Sequence, residues 1–274
     1  MSIFSTFSHT LTALYALNLP EPLPPWQILT ILHAFRVAID FRRLVDSKGV
    51  RREIGWLQGL FAVLTAALGG STTCSIIFGV SPGWLGSNEV LPPYILVYFA
   101  VQYLPSFYTL LETIPKAPLE FVLTVADVLC GVDAVTSFGV DGCRTIKDVA
   151  PRLSRSLVAM IFCGTVTGCG GGLWFDALRM DEPVWRFGVP REVRTPSIGL
   201  FAAFSTTTVY AISSYANLLS VEDGKALASA VMLTIFLSRW ASVFLLSNNS
   251  SKKTSQDNSI ENENEKKKVE GKEE

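Results

Sequence analysis

SRSLVAMIFCGTVTGCGGGLWFDAL, residues 154–178, is apolar for the length of a membrane span yet carries glycine at positions 164, 168, 170, 171 and 172. A bilayer core takes about 20 apolar residues per helix, and here the charges stand only near the ends, at Arg155 and Asp176. The stretch reads as a transmembrane helix with an anomaly in its middle. Windows of similar length and character recur at 27–46, 55–80, 91–113, 118–139, 196–217 and 226–246. The expected architecture is therefore all-α, an integral membrane protein of seven transmembrane helices.

Composition points the same way. Of 274 residues 49% are hydrophobic and 17% charged, and the mean hydropathy is +0.35, values that set the chain apart from ordinary soluble domains. Nearly all the apolar content lies in 26–246, the expected helical domain. Residues 1–25 hold Pro20, Pro22, Pro24 and Pro25 and no Lys or Arg ahead of their apolar stretch, so they lack the basic region of a secretory signal and read as a retained segment. Residues 247–274, SNNSSKKTSQDNSIENENEKKKVEGKEE, are a polar tail of disordered composition. The net charge of -1 gives no sign of a nucleic-acid partner. Cys74, Cys130, Cys143, Cys163 and Cys169 form no C-x-x-C pair and are odd in number, which fits small buried hydrophobes and neither a zinc site nor a disulfide framework.

With seven spans and the N-terminus outside, the inner side holds Arg42, Arg43, Lys48, Arg51, Arg52, Lys116, Arg179, Arg186, Arg191 and Arg194, before the lysines of the tail are counted. The outer side holds Arg144, Lys147, Arg152, Arg155 and Lys225. The positive-inside rule then places the N-terminus in the lumen or outside and the C-terminus in the cytosol. Spans 1 to 3 and 4 to 6 run in opposite senses, as two inverted three-helix repeats would, with a seventh helix added. The middle helix of each half carries a glycine run, Gly69-Gly70-Ser71-Thr72-Thr73 and Gly168-Cys169-Gly170-Gly171-Gly172.

Two readings of these runs stand side by side. Each interior glycine costs about 1 kcal/mol relative to alanine, so a run can kink a span and expose carbonyls to a water-filled path. Alternatively, Gly164, Gly168 and Gly172 recur every fourth residue and make a flat face for close helix packing. Charges inside spans are the second clue, since each costs about 3 kcal/mol and commonly faces protein or water. Asp127 and Asp133 lie in span 4, Arg36 and Asp40 are spaced for an i,i+4 pair in span 1, and Arg239 in span 7 calls for an acidic or carbonyl partner. Thr72, Thr73, Thr165, Thr167 and the run Ser205 to Thr208 add hydroxyls that can solvate a cation or bond their own helix backbone.

Enzyme chemistry is not expected. His9 and His33 are the only histidines, and no metalloprotease, nucleophile-elbow, phosphate-loop or dinucleotide motif occurs, nor any sign of a metal or cofactor site. Asp127 and Asp133 stand about 120° apart around one helix and cannot share a proton as a protease dyad does.

From Tyr94 to about Tyr215 the chain resembles the trimeric intracellular cation (TRIC) channels. Met160-Ile161-Phe162-Cys163-Gly164, Gly168-Cys169-Gly170-Gly171-Gly172-Leu173 and Phe175 are similar to the family's M-I-x-x-G, G-x-G-G-G and N-F-E segments. Gly69-Gly70-Ser71 resembles its first-half G-G-G. Tyr98-Phe99 with Pro105 is similar to its third helix, and Trp185 and Pro196-Ser197 to its W-K-P and Y-P-T elements. The resemblance implies a homotrimer with a pore in each subunit, in the endoplasmic reticulum or a related membrane, passing mainly potassium as counter-ion during calcium release. On that reading Gly69, Gly70, Ser71, Thr72, Thr73, Gly168, Gly170, Gly171 and Gly172 shape the pore, and Asp127 and Asp133 supply gate charge. The basic Lys and Arg through which animal members contact phosphoinositide are Ala126 and Cys130 here, so that lipid contact loses its cations. A non-conducting membrane scaffold and a carrier with alternating access are the other readings this sequence allows.

Overall fold

The computed structural model describes residues 3–242; the tail expected at 247–274 lies outside the described residues. Residues 3–233 fall in one compact unit, and the helical residues 234–242 belong to a second. Arg239, in the second unit, is exposed.

Helices form where the apolar windows lie, and local chemistry ends them. In the first unit α1 spans Ile3–Tyr15, and α2, Ile28–Ser47, starts beyond the prolines at 20–25. α3, Trp56–Phe78, stops at Gly79, whose φ of 70° lets its N–H turn back to Ile76 O. The window at 91–113 is not one straight helix. α4, Leu91–Tyr103, meets α5, Pro105–Thr113, at 89°. Pro105 cannot donate a backbone hydrogen bond, and it drives Leu104 to an extended conformation at φ -105° and ψ 93°.

α6, Lys116–Asp133, passes through a π-helical segment, Ala134–Asp141, into the short α7, Gly142–Thr145. α8, Leu157–Ala177, is capped by Ser156 Oγ, which accepts the Ala159 N–H. After the one-turn α9, Arg191–Arg194, α10 spans Ile198–Tyr215 and is capped in the same way by Ser197. Residues 221–233 complete the unit as α11.

Among the described residues, α3, the continuous 116–145 helix and α8 are each long and apolar enough to cross a membrane, and the bent α4–α5 pair makes a fourth segment of that kind. α2 and α10 occupy the expected windows 27–46 and 196–217 without reaching that measure. The core is built from small and branched side chains: Ala34, Ala38 and Ile39 of α2 meet Val97 and Val101 of α4 and Leu123 of α6. Outward faces are apolar too. Phe61 and Ile76 of α3, Val158 and Phe162 of α8 and Phe201 of α10 stand exposed, Val158 to 77%. So many large exposed hydrophobics are expected of a surface that meets lipid or another subunit. The chain is a multi-pass α-helical membrane protein.

Candidate functional site

The two glycine runs meet each other. At their crossing a Cβ on Gly171 would run into the Ala66 carbonyl oxygen, one on Gly70 into the Thr167 carbonyl oxygen, and one on Gly69 would come within 3.1 Å of Gly171 Cα. Backbone lies against backbone, and only glycine permits that. The opposite side of α8 is as tight. A Cβ on Gly168 would stand 2.7 Å from Val135 Cγ2 and 2.9 Å from Ala203 Cβ, and one on Gly164 would strike Thr207. Gly172 differs, with nothing within 4 Å of the site of its Cβ.

Close contact also decides helix continuity. The break expected at the glycine runs is absent, because α3 and α8 are uninterrupted α-helix across both. Close packing compensates the low helix propensity of glycine, and the backbone hydrogen bonds need no other partner.

Hydroxyls beside the first run are engaged at their hydrogens. Ser71 and Thr72 donate to Leu68 O at 3.0 and 2.8 Å, and Thr73 donates to Gly69 O at 2.7 Å. Each threonine oxygen also accepts an indole N–H, Thr72 from Trp84 at 2.9 Å and Thr73 from Trp174 at 2.8 Å. Thr165 and Thr167 likewise bond their own helix, at Ile161 O and Cys163 O. Thr206, at the heart of α10, is fully buried and its Oγ1 has no hydrogen-bond partner.

The charged groups form a series along α6. Glu120, Asp127 and Asp133 cover 14 residues, ~20 Å of helix from first to last. Glu120 receives Arg36 at 2.5 Å and also pairs with Arg43, while Arg36 reaches Asp40 at 2.9 Å as its i,i+4 spacing predicts. Asp127 faces His33 of α2, with Nε2 3.3 Å from Oδ1, and the other ring nitrogen lies 2.6 Å from the Tyr94 hydroxyl. Asp133 accepts from Ser137 at 2.6 Å and pairs with Lys225 of α11 at 3.6 Å, and Lys225 in turn donates to Ser137 at 2.6 Å. Beyond the π segment, Asp141 accepts the Tyr210 hydroxyl at 2.8 Å.

Four of these partners are marked by no motif in the sequence. His33, Tyr94 and Glu120 looked like single polar residues in or beside apolar windows, and Lys225 like a loop charge. Asp127, without a basic neighbour in sequence, acquires one in space from α2. Glu120 binds two arginines while about a quarter exposed, so Glu120→Gln leaves two cations facing a neutral amide. Breaking a fully buried pair costs about 3–5 kcal/mol, and partial exposure brings the expected loss to about 2–3 kcal/mol. Thermal melting of the purified variant checks this, and an unchanged midpoint would remove Glu120 as the anchor of α2 to α6.

No protein-family model and no curated protein matches the chain. Solved structures do match in fold. A structure described as the basis for activity of TRIC counter-ion channels in calcium release superposes with a TM-score of 0.65 at 15% identity, covering 87% of this chain and 99% of that one. A trimeric intracellular cation channel from C. elegans with bound Ca2+ gives 0.65 at 15%, covering 86% and 96%. A third, solved for conductance through TRIC cation channels, gives 0.56 at 20%, covering 80% and 93%. With nearly the whole of each of those chains covered, this protein has the fold of the TRIC cation channels in a far-diverged sequence.

Proposed function

We propose that the chain is a homotrimeric cation channel of an intracellular membrane, conducting mainly potassium as counter-ion during calcium release. The observation that carries this is Asp127: a carboxylate midway along a membrane-length helix, one-third exposed, inside the fold that cation channels share. An intramembrane acid open to a polar space concentrates cations there. Thr72, Thr73 and Asp127 line the path, and the paired glycines Gly69, Gly70, Gly168, Gly170 and Gly171 bring its helices close enough to enclose it. Ser71 and Gly172 border it, and Asp133 with Lys225 supplies charge at a gate. Seven spans in two inverted repeats plus one put the N-terminus in the lumen, and the excess of Lys and Arg on the other side supports that sense. The endoplasmic reticulum is the expected membrane.

Planar-bilayer recording of the purified protein is the test. Discrete potassium-selective steps are expected, and a silent bilayer across voltages and calcium concentrations would sink the proposal. One specific observation favours a second reading. All the glycines of the two runs but Gly172 are consumed in packing, and α3 and α8 are unbroken, as a non-conducting scaffold would need. A trimer without current supports that reading. Saturable flux without discrete steps would instead make the chain a carrier.

A further inference from the structure

Away from the acids of α6, where the ends of α2 and α4 meet the turn before α3, a cavity of about 330 Å³ opens. Phe41, Val45 and Ile54 line it with apolar side chains, together with the rings of Tyr98 and Tyr103 and with Gln102. Its polar side is cationic. Arg51 donates through Nη2 to the Gln102 backbone oxygen, which fixes its guanidinium at the cavity edge. Asp46 is the acid nearest to it, at 3.7 Å, and is shared with Arg42 at 3.5 Å. Arg42 itself turns away, to the Val101 carbonyl oxygen and the face of Tyr108. Arg52 lines the cavity, is exposed, and makes no hydrogen bond or ion pair among the described residues. Glu53 is exposed and outside the lining.

Two guanidiniums with most of their N–H groups unspent thus share one cavity with apolar and aromatic side chains. A guanidinium fork matches the oxygens of a phosphate in a bidentate fashion, and a half-open cavity of this size admits a small polar head. We propose that this cavity binds a phosphate-bearing anion through Arg51 and Arg52. The phosphate can belong to a lipid headgroup, whose glycerol and first methylenes would rest on Phe41, Val45 and Ile54, or to a soluble phosphate. The proposal is independent of ion conduction.

Calorimetric titration of the full chain in neutral detergent distinguishes the sources. One arm uses dioctanoyl phosphatidic acid, a second inorganic phosphate, and dioctanoyl phosphatidylcholine serves as the zwitterionic reference. Saturable binding of phosphatidic acid with none of free phosphate assigns the site to a headgroup. Saturable binding of phosphate itself assigns it to a soluble anion. In either case Arg52→Gln weakens binding at least fivefold and Arg51→Gln with Arg52→Gln at least tenfold, whereas Arg194→Gln, exposed outside the cavity, leaves it unchanged. Arg52 has no partner to lose, so its variant keeps the fold and the comparison stands on that substitution alone. No saturable binding in either arm, binding within twofold of the parent in Arg52→Gln, or equal weakening by Arg194→Gln overturns the proposal.

Discussion

Replacing Gly171 by alanine lowers the melting temperature of the purified protein by about 4–8 °C, whereas replacing Gly172 by alanine raises it by about 2–4 °C. The two positions are adjacent on one helix, and what faces them is opposite. A Cβ at 171 would run into a carbonyl oxygen of α3, which cannot swing aside as a side chain can, so the helices have to separate. Overpacking of that kind costs about 1–3 kcal/mol, and the backbone obstacle places it at the upper end. The better helix propensity of alanine returns about 1 kcal/mol, leaving a net loss of about 2 kcal/mol. At 172 nothing stands within 4 Å, so only the propensity gain remains. For a chain of this size each kcal/mol moves the midpoint by about 2–4 °C. Equal melting of the two variants would mean that the glycine crossing does not hold α3 to α8. Recording from Gly171→Ala adds a second readout: current lost from an intact trimer places the crossing at the path, and loss of the trimer places it in assembly.

The contrast between these two glycines shows where sequence reading stops. Apolar length is a local property, so helices appear at all the windows within the described residues. The bend at Pro105 was also written locally, in a proline and an extended Leu104, but the continuous apolar run at 91–113 concealed it. The fate of Gly171 was not local. Its neighbour Ala66 lies 105 positions earlier, and until the two helices are placed the run is equally a kink and a packing face. Asp127 and His33 repeat the lesson across 94 positions. The signal available was a single histidine inside an apolar window, which implies a polar partner without naming it. Lys225 and Asp133, each sorted by its own segment, become one ion pair only when α11 lies beside α6. The π segment at 134–141 left no periodicity to read, because its apolar residues continue the pattern on both sides.

Those pairings also rank the acids of α6 by how much charge each leaves for an ion. Glu120 is met by two arginines and Asp133 by a lysine, so each of these acids faces at least one opposite charge. Asp127 is met by the imidazole of His33, and among the described residues no lysine or arginine lies at ion-pair distance from it, so its negative charge is the least cancelled of the three. Asp127→Asn is expected to reduce single-channel potassium conductance by at least about fivefold and to weaken selectivity against chloride, because the charge that concentrates cations is removed. The fold should survive, since the asparagine carbonyl can still accept from His33 and the substitution keeps the side chain's shape. Replacing both members of the neighbouring pair, Asp133→Asn with Lys225→Gln, measured in the same bilayers, should change conductance less than about twofold, because the two opposite charges are removed together. If Asp127→Asn conducts like the parent while the double variant at Asp133 and Lys225 does not, the cations pass on the α11 side of α6, and the path runs through the Lys225 pair instead of past His33.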